Sequence, residues 1–145
     1  MDDTVVDRKL EALRVALGRV RAMRGATPEV LAGSADRQDV VVLNLSRAVQ
    51  LCVDISAHLL LAGRQPVPAT MGDAFSGMAR LGVLNEDLAL QLRRAVGFRN
   101  IAVHNYEAMD WRLVHALADD EHLQDFESFA VAVLRQLGQL SRNGR

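Results

Sequence analysis

Apolar side chains recur along this chain in steps of three and four, the period of helices buried along one face. Val6, Leu10, Leu13, Leu17 and Val20 make the first such stripe. Gly25 and the pair Thr27-Pro28 interrupt it. Thr27 suits a helix N-cap and Pro28 the first helical position, so a short turn of helix is expected to end near Gly33. Ser34 or Asp36 then caps a long segment reaching about Ala62, with Val41, Leu45, Ala48, Cys52, Ile55, Leu59 and Ala62 facing inward. Gly63 and the Pro66-Val67-Pro68 run end it. A shorter helix over about residues 71–81 stops at Gly82, and Asn85 caps the next, which runs to about His104. Asp110 caps a short helix over 111–118. A last one covers about 120–140, with Leu123, Phe126, Phe129, Ala130, Val133 and Leu137 inward. Strand alternation, fixed-period repeats and low-complexity segments are absent. Short connections between long amphipathic helices predict an all-α, up-and-down bundle.

A length of 145 residues fits one domain, 1–145. One cysteine, Cys52, excludes a disulfide framework and a cysteine-based zinc site. His115 and His122 read as surface residues with no metal-ligand set around them, and no cofactor motif is present. Met1-Asp2-Asp3 opens no secretory signal, and the longest apolar run, around Ile55 to Gly63, falls short of the roughly 18 residues of a membrane span. The expectation is a soluble, cytoplasmic protein with no membrane partner. Seventeen basic side chains against 18 acidic ones, a net charge of -1, argue against a grip on long nucleic acid through its backbone, and DNA is not expected. Any nucleic-acid contact must come from a local cluster, and all the basic side chains except Lys9 are Arg.

The helix ending at His104 departs from a plain bundle. At about 100° per residue, Leu88, Leu92, Ala95, Val96, Ala102 and Val103 share one arc, with Arg99 in its middle. A guanidinium cannot shed its proton, so it must pair with a carboxylate, reach water or meet an incoming anion. Leu90, Phe98 and Ile101 lie on the opposite side, leaving the helix apolar nearly all round, and a second copy of the chain is a natural cover. Asn100 and His104, four apart, stack on one flank, where Asn100 could orient the imidazole; Gly97 beside them admits close backbone approach. Arg99 and His104 are about 140° apart on a regular helix. Either the last turn unwinds, or Arg99 reaches around, or a second chain completes a cleft between them. On the long second helix Asn44, Arg47, Gln50, Asp54 and His58 form a polar line, with Asp54 and His58 spaced to hydrogen-bond. That line is either an exposed flank or a source of Asp54 to compensate Arg99.

Arg99-Asn100-Ile101-Ala102-Val103-His104-Asn105-Tyr106 fits the pattern R-x4-H-x-Y with a polar residue after the Arg. This resembles the HEPN superfamily, and within it the HepT-like toxins paired with MntA-like minimal nucleotidyltransferase antitoxins. Cys52-Val53-Asp54-Ile55 with His58, Gly72-Asp73-Ala74-Phe75 and Leu81-Gly82-Val83-Leu84 match that group in order and spacing, so the likeness covers nearly the whole chain. The resemblance implies a helical bundle dimerising through its long helices, with the motifs in a cleft at the interface. It implies a metal-independent endoribonuclease whose Arg and His are Arg99 and His104, supported by Asn100. It implies that Tyr106 is the tyrosine to which the antitoxin transfers AMP, silencing the toxin.

The residue types suit that chemistry. RNA carries its own nucleophile, the 2′-OH; a His exchanges protons near neutrality and an Arg stabilises the phosphorane. A non-catalytic helical module binding nucleotide or a nucleotidyltransferase is the alternative. A purely structural bundle is the third reading. The nuclease reading requires that Arg99 is not satisfied internally and that it and His104 are not walled off from water.

Overall fold

A computed structural model describes residues 3–143. Seven α-helices follow in order: α1 (Asp3–Met23), α2 (Pro28–Ala32), α3 (Ala35–Ala62), α4 (Met71–Arg80), α5 (Glu86–His104), α6 (Trp111–Leu117) and α7 (Asp120–Asn143). A single 3₁₀ turn, Tyr106–Ala108, separates α5 from α6, and no strand occurs among the described residues. The caps explain the boundaries. Side-chain oxygens of Thr27, Ser34, Asn85 and Asp110 accept from the backbone N–H of Val30, Arg37, Leu88 and Leu113, each filling one of the donors a helix start leaves open. Thr70 caps α4 in the same way through Asp73 N–H, at the start expected from the sequence but by a cap not named there.

Helix α3 is the axle, packing against α1, α2, α4, α5 and α7. Val41, Leu45, Ala48, Cys52, Ile55 and Leu59 are buried as their spacing requires, whereas Ala62, placed on the same stripe, is exposed at the helix end. By length and composition alone α3 is apolar enough to cross a membrane, although no uninterrupted apolar run in it is long enough. In the fold, half of its most apolar window is buried against the other helices. Phe75 of α4 and Phe129 of α7 meet edge to face at 6.1 Å in the core. Gly82 takes φ +83° to turn the chain out of α4. At the end of α3 the left-handed position falls on Arg64, at φ 57°, and not on Gly63.

One histidine corrects the sequence reading. His115 is buried, not a surface residue. Its Nε2 lies 3.0 Å from the Gly25 carbonyl, which can only accept, so that nitrogen carries the proton. Its Nδ1 then accepts from Arg24 at 3.2 Å, while Arg24 Nε donates to the His115 carbonyl at 2.9 Å. Helix α6 is thereby fastened to the link between α1 and α2.

The two faces of α7 give a direct stability test. Phe129→Ala on the buried face should cost about 3–5 kcal/mol in denaturant unfolding. Leu134→Ala, at a residue 53% exposed, should cost under about 0.5 kcal/mol.

Candidate active site

Helix α5 divides its circumference between the core and open solvent. Ala89, Leu92, Val96 and Ala102 are buried, and Leu88, Ala95 and Phe98 lean on the core from its edges. Val103, assigned to the inner arc from its spacing, is instead 55% exposed. Leu90 and Ile101, on the other side of the helix from Val103, are exposed as well, so α5 leaves apolar side chains uncovered on two sides. Gly97 is also open: a Cβ added there meets nothing within 4 Å. The fold of one chain therefore gives no steric reason for a glycine at this position.

Arg99 sits between the buried turns of Val96 and Ala102 and is half-buried. Among the described residues its guanidinium makes no hydrogen bond and no ion pair. His104 and Asn100 are exposed, and no hydrogen bond joins them. The helix stays regular through His104, and Asn105 N–H still reaches the Ile101 carbonyl at 2.8 Å. Unwinding of the last turn is thus excluded as the way to bring Arg99 and His104 together. Their spacing of about 140° persists.

Asp54 is engaged elsewhere. Gln50 Nε2 donates to it at 2.9 Å and Lys9 of α1 lies 3.6 Å away, so it contacts neither His58 nor Arg99 in this chain. His58 Nε2 is buried without a hydrogen-bond partner. Asn44, at the head of the same polar line, is buried rather than on an exposed flank, and its amide donates to the Val40 carbonyl at 2.8 Å.

Tyr106 opens the 3₁₀ turn after α5 and is held from two sides. Its hydroxyl donates to Asp39 Oδ1 of α3 at 2.6 Å, and its ring meets Trp111 at 5.8 Å and 69°. Burial, then the hydrogen bond to Asp39 and the repulsion of that charge, push its phenol up to about 12. Neither Asp39 nor Trp111 carries a sequence signal of this role; Asp39 is 67 residues away from Tyr106.

An apolar recess of about 190 Å³ opens between α3, α5 and α7. Leu45, Val49, Phe98 and Phe126 line it, with Asp125 and His122 at its polar edge, but Arg99 and His104 do not. Burial holds the Asp125 carboxyl above its usual range. Burial also raises that of Asp119, but hydrogen bonds from His122 outweigh this and leave it lowered. Among the described residues no three His, Cys, Asp or Glu side chains gather to hold a metal.

Residues 13–133 match the family described as Ribonuclease HepT-like. The chain is 30% identical over 129 residues to the mRNA nuclease HepT of Shewanella oneidensis, covering 89% of this chain and 95% of the relative. Its fold is similar to that of the tri-AMPylated Shewanella oneidensis HEPN toxin in complex with MNT antitoxin. The TM-score is 0.85 with 28% identity, over 93% of this chain and 99% of the other. A crystal structure of a toxin–antitoxin with AMP-PNP also superimposes with a TM-score of 0.85, at 26% identity over 91% of this chain and 98% of that one.

Tyr106 is the only tyrosine in the chain, so an ultraviolet titration reads this phenol alone. Its midpoint should lie near 12 in the folded protein against 10.0 for an ordinary tyrosine. The unfolded chain releases this proton first. The stability linked to it is therefore full below pH 10 and is lost as pH rises towards 12. Unfolding curves across that window should shift accordingly.

Proposed function

This chain belongs to the Ribonuclease HepT-like family, and from that membership we propose that it is an endoribonuclease toxin whose catalytic pair is Arg99 and His104. The observation that carries this assignment of residues is the half-buried, unpaired guanidinium of Arg99 on the same helix end as a solvent-facing imidazole. A cation held partly out of water with no internal carboxylate is poised to meet an external anion. RNA supplies one in each backbone phosphate.

Cleavage uses the RNA's own 2′-OH. Its oxygen attacks the adjacent phosphorus, the bond from phosphorus to the 5′-oxygen breaks, and the products end in a 2′,3′-cyclic phosphate and a 5′-hydroxyl. His104 takes the 2′-OH proton or returns one to the leaving oxygen. Arg99 stabilises the extra negative charge that the phosphorane gains. Asn100 supports this pair from the exposed flank, and the chemistry calls for no metal. Asp54 belongs to the wider site in this reading, but its contacts in one chain run to Gln50 and Lys9.

A homodimer completes the cleft. Arg99 and His104 diverge on one helix, the recess beside α5 contains neither, and Ile101 and Val103 lie uncovered beside them. Packing two α5 ends across a two-fold axis covers that surface and allows Arg99 of one chain to face His104 of the other. Gly97, with nothing over it, permits the close approach. The protein partner in this reading is an MntA-like nucleotidyltransferase antitoxin that transfers AMP to Tyr106. An added AMP, bulky and anionic, repels RNA from the cleft.

The unmodified protein should cleave RNA in the presence of a chelator. Arg99→Ala and His104→Ala should each lower the rate by at least about 10²-fold while the melting curve stays close to wild type. Unmodified protein that cuts neither messenger nor transfer RNA, and leaves growth unaffected when expressed, would overturn the enzyme assignment.

A further inference from the structure

The carboxylate of Asp39 gives Tyr106 a role-specific neighbour that the resemblance does not account for. Tyr106 and Asp39 are 67 residues apart in the sequence and meet in the fold: one opens the turn that leaves α5, the other stands in the second turn of α3. Their contact is a direct hydroxyl-to-carboxylate hydrogen bond of 2.6 Å, in the short range expected for O–H···O⁻. Asp39 is exposed and Tyr106 half-buried, so the bonded pair lies at the surface where a partner enzyme can reach it. Trp111 meets the phenol ring at 69°, which fixes its plane and leaves the hydroxyl aimed at Asp39.

Resting on the reading that Tyr106 receives AMP, we propose that Asp39 is the proton acceptor for that transfer, supplied by the toxin to its own modification. The phenolic oxygen attacks the α-phosphorus of a nucleoside triphosphate, and a bond from Oη to phosphorus forms. The bond from that phosphorus to the bridging oxygen of the β-phosphate breaks, and pyrophosphate leaves. The phenol proton passes to Asp39 Oδ1 and then to water.

Timing makes the acceptor necessary. A free phenol of raised pKa yields little phenolate at neutral pH, so ionisation before attack is slow. As the new bond from Oη to phosphorus forms, the phenolic proton becomes far more acidic, and a carboxylate already in contact removes it without a change of geometry. His104 lies two residues upstream, but the described partner of the hydroxyl is Asp39 and the other face is the uncharged Trp111 ring. Asp39 is the charged group whose field acts on the phenol.

The test compares the full-length protein with Asp39→Asn, which keeps an accepting oxygen at the same distance but is a very weak base, and Asp39→Glu, which keeps the carboxylate. AMP on Tyr106 is followed by peptide mass spectrometry with two donors. One is ATP with the Shewanella oneidensis MNT antitoxin. The other is adenosine 5′-phosphorimidazolide with no enzyme, which loses imidazole in place of pyrophosphate. Asp39→Asn should slow labelling from phosphorimidazolide at least tenfold at pH 7, with the rate then rising about tenfold per pH unit as phenolate forms. Wild type and Asp39→Glu should show a much flatter profile. Labelling of Asp39→Asn at the wild-type rate overturns the proposal, and so does a slower rate with an unchanged pH profile, which marks a merely positional contact. Tyr106→Phe separates the two levels. If the antitoxin still labels that variant, the assignment of Tyr106 as its target fails, while the phosphorimidazolide profile still decides the role of Asp39.

Discussion

A guanidinium keeps its charge in any environment a protein can offer, so a half-buried Arg must find an anion or remain open to one. Arg99 occupies a turn of α5 whose neighbours on either side, Val96 and Ala102, are buried. Among the described residues no carboxylate answers it. The nearest candidate from sequence, Asp54, is already held by Gln50 and Lys9. The arrangement is one that a structural bundle would gain by replacing with Leu. An unpaired Arg at this position makes sense if the anion arrives from outside, as the phosphate of the proposed substrate.

The same helix explains why the proposed site calls for a second chain. One side of α5 is committed to the core and cannot turn, because Leu92, Val96 and Ala102 pack there. Regular helical geometry then fixes His104 about 140° from Arg99. The remaining side ends in uncovered apolar residues and a bare glycine. Within the proposed dimer these facts cease to be separate oddities, since burial of that surface and completion of the catalytic pair become one event.

Tyr106 is positioned by a relay of contacts that begins far from it. His115 fastens α6 to the Gly25 carbonyl and Arg24. Trp111, at the start of the same short helix, presses its ring against Tyr106. Asp39, near the start of α3, takes the hydroxyl. The caps at Ser34 and Asp110 set where those two helices begin, and so where both partners stand. The residue proposed for modification is thus held from two sides, with its hydroxyl directed to a carboxylate.

How much was legible in the sequence follows from which information is local. Helical period and capping chemistry are local, so the seven helices, their caps at Thr27, Ser34, Asn85 and Asp110, and the inward residues of α3 and α7 could be read directly. The R-x4-H-x-Y motif was legible for the same reason, being a contiguous run. Periodicity failed where an element's end leaves the core, as at Ala62 and Val103, because a stripe continues on paper after its cover has stopped. It also failed for groups that meet across the fold. Nothing in the spacing of His115 announces burial against Gly25, and nothing 67 residues upstream announces Asp39 as the partner of Tyr106. The sequence by itself determined the helices and the motif that one of them carries. Only the tertiary structure decided which side chains face which, because partner choice between distant residues is settled by how whole helices pack.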